Sequence, residues 1–354
     1  PYPSLSDHFR EKGLPVGVVT LGNVADATPA AFYGHSVERD NADELTRCLL
    51  DAPVDLLCGS GIRQFTERGD GLDMEKELAK NYRFVRSIDR INDAKGKVVC
   101  IDERMEAAAE EANLPLLAEA TRAAIDKLQE RGDGGFFLMV EGAKIDYAGH
   151  SRCLPGSVIE MLSFDMAVAE ALKFADSNGE TLVIVTADHG MAALSPERYI
   201  NLMPLLDTTQ VIRTVPGTPF GLEVKEEYAD TALRILRRTG HMKAWRREQM
   251  PRRFHYGTHP TRLTNIIVIP ETGWTLDYAA EARPVRKRGT HGFDNRDRDM
   301  HMVFYASGPA FRKGYRQGSF QNQNMYLILC RLLGIEPAPN DGEWKEIKRM
   351  FRDK

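Results

Sequence analysis

Short apolar runs rich in β-branched residues recur down this chain at residues 16–20, 54–58, 97–101, 136–140, 182–186, 266–269 and 302–305. A strand covered on both faces needs no polar alternation, so each run reads as a buried strand. Between them lie segments with helical spacing at 43–50, 115–131, 157–175, 225–238 and 322–333. In the third, Met161, Phe164, Val168, Ala171 and Ala175 recur at steps of three and four, which predicts one apolar stripe laid against a sheet, and Gly179 follows as a stop signal. Strands alternating with helices imply an α/β three-layer sandwich, with a large, mostly parallel sheet between helices. In such folds polar residues placed just after a strand gather at one edge of the sheet.

The chain's 354 residues exceed one ordinary domain and leave room for about two, or for one large α/β domain with insertions. Apolar residues at 42% and charged residues at 28% exclude a disordered chain. Forty-seven basic against 51 acidic residues leave a net charge of −4, which excludes nucleic acid or an anionic membrane as the main partner. The apolar runs fall far short of the ~20 residues a spanning helix needs. Five scattered cysteines supply neither a disulfide framework nor a thiolate metal site.

After the run 136–140 comes Glu141-Gly142-Ala143-Lys144-Ile145-Asp146-Tyr147-Ala148-Gly149-His150. If this segment is helical, Asp146 and His150 lie four apart on one face and can grip one cation, although such a pair alone also fits a surface hydrogen bond. After the run 182–186 comes Asp188-His189-Gly190, where a turn would swing both side chains above the sheet. Gly289-Thr290-His291-Gly292 brackets another histidine between glycines. Together Asp146, His150, Asp188, His189 and His291 form a carboxylate and imidazole set suited to zinc or a similar divalent ion. Asp26, Thr28 and Glu141 are oxygen donors suited to a harder ion such as magnesium. Taken by itself, Asp26 to Pro29 fits better an acidic cap with proline entering a helix.

These motifs, in this order, resemble the alkaline phosphatase superfamily. Residues 1–190 look like an alkaline phosphatase, through Asp26-Ala27-Thr28-Pro29, His35, Arg39, the Glu141 to His150 segment and Thr186-Ala187-Asp188-His189. Residues 187–345 look like a nucleotide pyrophosphatase/phosphodiesterase, through Asp188-His189-Gly190-Met191, Gly289-Thr290-His291-Gly292-Phe293-Asp294-Asn295 and Gly308-Pro309-Ala310-Phe311. The stretch 206–260 is richer in charge and interrupts the strand and helix pattern, so it reads as an insertion or cap over the sheet, between a core at 1–205 that resembles alkaline phosphatase and a C-terminal part of the core at 261–354 that resembles the phosphodiesterases. The resemblance implies a first zinc held by Asp146, His150 and His291, a second and incomplete zinc site at Asp188 and His189, a magnesium held by Asp26, Thr28 and Glu141, and a phosphate clamp at Arg39.

The superfamily takes its Ser or Thr nucleophile, and a further aspartate for the second zinc, from a segment well upstream of the one containing Asp26. Neither role falls on a residue of this chain, so the resemblance implies that an N-terminal part is missing and that the chain as given is inactive without it. Ser4, Ser6 and Thr20 read as cap or strand residues. The implied activity is phosphoric ester hydrolysis, with phosphomonoesters favoured by Asp26, Thr28, Glu141 and Arg39. The alternatives are a nucleotide pyrophosphatase/phosphodiesterase and a non-catalytic metal-binding remnant. The resemblance further implies a small phosphate ester or nucleotide as substrate and a periplasmic or extracellular location, and leaves a homodimer open.

Overall fold

The computed structural model describes residues 3–106, 114–132, 134–151, 153–257, 259, 261–281 and 288–352. In chain order the elements are α1 (Leu5–Glu11), β1 (Val16–Asn23), α2 (Ala27–Ala30), α3 (Ala42–Arg47), β2 (Leu56–Ser60), α4 (Arg63–Thr66), α5 (Met74–Leu78), β3 (Tyr82–Val85), β4 (Lys97–Ile101), α6 (Leu116–Gln129), β5 (Phe137–Glu141), α7 (Lys144–Ser151), α8 (Leu154–Asn178) and β6 (Val183–Thr186). There follow β7 (Ala192–Ala193), β8 (Tyr199–Asn201), β9 (Val211–Val215), β10 (Phe220–Val224), α9 (Glu226–Thr239), β11 (Met242–Arg246), β12 (Ile266–Pro270), β13 (Thr275–Asp277), β14 (Gly289–Thr290), β15 (Phe304–Ser307), α10 (Asn324–Leu333) and α11 (Trp344–Ile347). They fall into two units, one of residues 1–147, 154–184 and 306–354, the other of residues 148–153 and 185–305.

The first unit is built on a five-stranded sheet of order β3-β4-β2-β1-β5 in which every pairing is parallel. Parallel neighbours need crossovers, and the helices between the strands supply them. β1 is buried along all but its last residue, as its mostly apolar run predicts. One face of the sheet packs Val16, Val18 and Leu57 against Phe9, Leu45 and Met74. The other packs Val19, Leu56 and Val98 against Leu117, Ala124 and Leu128 of α6 and Ala167 of α8. Each fully buried leucine here contributes ~1.5–3 kcal/mol. Ser4 caps α1 reciprocally with Asp7, so its place in the sequence has a structural cause.

Two expectations change in this unit. Met161 is not part of the packed stripe of α8: it is half exposed, and Glu160, Ser163 and Ala167 are the buried positions, with Phe164 packed beside them. The strand Tyr82–Val85 carries Arg83 and Phe84 in alternation at the sheet's edge, so it lacks the apolar run that marks the others.

The second unit carries a four-stranded antiparallel sheet of order β11-β12-β10-β9. Phe220, Leu222, Ile266 and Val268 form its core with Ala229, Leu233 and Leu236 of α9. The charged stretch 206–260 thus supplies three strands and a helix, and the apolar run at 266–269 pairs with them. Two short ladders, β14 with β7 and β13 with β8, complete this unit's pairings among the described residues, and β6 pairs with β15. No described helix is long and apolar enough to cross a membrane.

Candidate metal centre and oxygen-donor site

The expected helix after β5 exists as α7, with Asp146 in its first turn and His150 in its last, so the two share one helical face. Within the second unit, His150, His189 and His291 converge. The His291 ring stacks on that of His189 with centroids 3.5 Å apart, and lies 5.2 Å from that of His150. Ring nitrogens of His189 and His291 lie within 4.8 Å of one another.

Backbone contact at glycine makes this approach feasible. β14 pairs antiparallel with β7, Gly289 opposite Ala193 and Thr290 opposite Ala192, which brings His291 alongside the segment leaving His189. A Cβ on Gly289 would stand 2.4 Å from the carbonyl oxygen of Gly149, the residue before His150. A Cβ on Gly190, the residue after His189, would stand 2.0 Å from the Asp299 carbonyl oxygen. Real Cβ atoms do not reach such distances, so glycine at both positions is a steric requirement.

Hydrogen bonds then set which ring nitrogen faces a ligand. His150 Nδ1 donates to the Gly289 carbonyl at 2.9 Å and His189 Nδ1 to the Gly190 carbonyl at 3.0 Å, since a carbonyl only accepts. The lone pair of the neutral ring is thereby fixed at Nε2, an arrangement that metal-binding histidines commonly show. His189 Nε2 lies 3.0 Å from Asp188 Oδ2. With acceptors at both nitrogens, this ring is satisfied either as an imidazolium or as a neutral ring sharing a cation with the carboxylate. Burial alone pushes the Asp188 carboxyl up, but its hydrogen bond and attraction to His189 outweigh this and hold it below the usual carboxylate range. The donors present therefore fit a divalent ion of the zinc type.

The oxygen donors lie in the first unit, at the carboxyl ends of β1 and β5. Register places Thr20 beside Glu141, and the Thr20 hydroxyl donates to Glu141 Oε2 at 2.6 Å. Asp26 follows β1 as the residue before α2, and the Tyr147 hydroxyl donates to its Oδ2. Burial first, then the hydrogen bond and charge of Asp26, raise the Tyr147 phenol well above its ordinary range, so it stays a donor. A Cβ on Gly22 would meet Ala143 Cβ at 3.0 Å, with Thr20 Oγ1 at 3.5 Å and Asp26 Oδ2 at 3.8 Å, so a side chain at residue 22 would crowd the wall beside these oxygens. Such a cradle of oxygens fits a hard cation. Thr28 lies half-buried on α2. Arg39 is exposed, its Nε 3.5 Å from Asp40 Oδ1, in the stretch before α3.

Sequence reasoning passed over Tyr147 and set Thr20 aside as a strand residue. Thr20 is indeed in β1, but at the position opposite Glu141. The pairing of β1 with β5 that reveals this is not encoded in local spacing.

The chain is similar to known proteins of two kinds. The alkaline phosphatase family model matches residues 2–210, more than half of the chain. The chain is 36% identical over 179 residues to mouse bis(5'-adenosyl)-triphosphatase enpp4, covering 48% of this chain and 37% of that protein. It is 32% identical over 196 residues to alkaline phosphatase 4 of Bacillus subtilis strain 168, covering 52% of this chain and 42% of that one. These matches span less than half the length of the curated relatives. Among solved structures, murine ectonucleotide pyrophosphatase/phosphodiesterase 5 shares the fold over 99% of this chain and 75% of its own, with a TM-score of 0.56 at 20% identity. A mutant alkaline phosphatase of the Antarctic bacterium TAB5, solved with Mg bound, matches 55% of this chain and 58% of its own, with a TM-score of 0.50 at 29% identity. From its family match and from relatives of both kinds, this chain belongs to the alkaline phosphatase family.

Proposed function

We propose that this chain is the metal-binding body of a phosphoric ester hydrolase that prefers phosphomonoesters, and that polypeptide outside residues 1–354 contributes the hydroxyl nucleophile. The observation that carries this reading is the convergence of His150, His189 and His291 through glycine contacts, with two of the rings held by backbone carbonyls. The donors we assign are Asp146, His150 and His291 for one zinc, Asp188 and His189 for a second and less complete one, and Asp26, Thr28 and Glu141 for magnesium. Bound there, divalent ions supply electrostatic stabilisation of the oxygens entering and leaving phosphorus. Thr20 and Tyr147 orient the carboxylates of Glu141 and Asp26, and Arg39 leaves Asp40 to hold two phosphoryl oxygens through its planar fork. The same reading puts the protein in the periplasm or outside the cell.

A diesterase or nucleotide pyrophosphatase is the second reading, favoured by the identity to the mouse triphosphatase. The two separate in a turnover assay of p-nitrophenyl phosphate against bis-p-nitrophenyl phosphate. It is run on residues 1–354 and on the same chain extended by the nucleophile-bearing segment of a Bacillus subtilis relative. The expected result is no turnover by the short chain and monoester preference by the extended one. Diester preference would reverse the assignment. Zinc binding without turnover in either protein would leave a metal-binding remnant and refute the hydrolase reading.

A further inference from the structure

α9 lays Ala229, Ala232, Leu233 and Leu236 against the antiparallel sheet and leaves Asp230, Arg234, Arg237 and Arg238 exposed. These four recur at helical spacing and line one open hollow of about 390 Å³, completed by the buried Leu233 and by Gln249 from the tight turn Arg247–Gln249 after β11.

The charges of this hollow do not balance. Asp230, the carboxylate lining it, already accepts from Arg246 through Nε at 3.1 Å and Nη2 at 2.9 Å. Arg237 donates through Nε to the Ala244 carbonyl at 2.9 Å, and Arg234 through Nη2 to the Thr231 hydroxyl at 3.0 Å, and both acceptors are neutral. None of the three guanidinium groups forms an ion pair among the described residues. Like charges three and four residues apart on a helix repel. The carbonyl end of α9 attracts Arg237 and Arg238 in its last turn, but that attraction fades within a turn and does little for Arg234.

The hollow thus offers three cations, two of them held in place by neutral acceptors that leave their charge unspent. An anion meets that demand. Guanidinium forks about one turn apart approach it from three directions, which suits a tetrahedral group with three free oxygens better than a flat carboxylate with two. The volume is that of a small-molecule site, and Leu233 and Gln249 offer an apolar contact and an amide to whatever carries the group. We propose that this hollow binds a dianionic phosphoryl group, free or carried on a small organic molecule. It uses none of the metal donors and stands whether or not the chain is a hydrolase.

Isothermal titration calorimetry on residues 1–354 tests this at physiological ionic strength, where attraction to diffuse surface charge is screened beyond ~8 Å. Inorganic phosphate should bind with a component that survives removal of zinc. Arg234→Ala and Arg238→Ala, at exposed positions where alanine favours the helix, should each weaken that component about tenfold or more. Arg213→Ala, which removes the same charge from β9 at the other edge of the sheet, should leave it unchanged. Glycerol 3-phosphate separates the two sources: tighter binding than phosphate assigns an organic phosphate, and equal or weaker binding assigns the free ion. Phosphate binding that appears only with zinc, or that ignores both Arg234→Ala and Arg238→Ala, would overturn the proposal. So would an absence of binding, or malonate binding as tightly as phosphate, since charge alone would then account for it.

Discussion

Gly190→Ala isolates the steric basis of the histidine cluster, because it adds a single methyl group to the residue after His189. Its Cβ would stand 2.0 Å from the Asp299 carbonyl oxygen, 2.9 Å from the Asp299 carbonyl carbon and 2.9 Å from the His301 carbonyl oxygen. All three are backbone atoms, so no side-chain rotation relieves the clash, and the segment around Asp299 must move by more than ~1 Å to restore van der Waals contact. Overpacking of this kind costs ~2–3 kcal/mol. Urea denaturation followed by tryptophan fluorescence reports it, since Trp245 and Trp274 lie in the same unit as Gly190. With a slope of ~1.5 kcal/mol per M, the midpoint should fall by ~1.3–2 M. Gly318→Ala is the control, because nothing lies within 4 Å of a Cβ there. If the two variants unfold within ~0.5 kcal/mol of each other, close backbone approach is not what builds the cluster.

Two further substitutions probe ion pairs. Burial alone pushes the Asp102 carboxyl up, yet hydrogen bonds from Arg104 and from the Ile88 and Arg104 amides outweigh it and hold its pKa below the usual range. A carboxyl depressed in the folded state contributes stability that is complete above its unfolded pKa and is lost as pH falls through the folded one. Asp102→Asn should therefore cost ~1–3 kcal/mol near neutral pH, with the difference from the parent shrinking below about pH 4 in melts taken across pH. Arg253 grips both oxygens of Asp294, which it holds below the usual carboxylate range, and donates also to Asn295. Arg253→Lys keeps the charge but loses the fork, and should cost ~1–2 kcal/mol and loosen the loop that follows His291, measurable as weaker zinc binding in a competitive chelator titration.

The parallel sheet was legible because β1, β2 and β4 are buried on both faces and so read as uninterrupted apolar runs. The five residues we propose as metal donors stood out in the sequence because each follows a strand, lies on the helix after one, or sits between glycines. Other features depend on pairings that sequence spacing does not carry. Thr20 and Glu141 are 121 residues apart and meet only through register, as do Tyr147 and Asp26 through the packing of α7. Met161 fits the helical period of the packed stripe, but α8 carries apolar residues on two sides, so periodicity alone did not say which side would be covered. Of the antiparallel sheet only β12 showed as an apolar run; β9 leaves Ile212, Arg213 and Val215 exposed, and β9, β10 and β11 lie in the stretch that reads as charged.

The central claim is that His291 and His189 each hold a divalent metal ion, His291 at the first site and His189 at the second, and metal content tests it directly. Protein purified without chelator, dialysed against a trace of zinc and analysed by inductively coupled plasma mass spectrometry should hold at least one zinc per chain. His189→Ala and His291→Ala should each lower that content while leaving the fold intact by circular dichroism. Zinc content unchanged by both substitutions, or no retained zinc in the parent protein, would contradict the account.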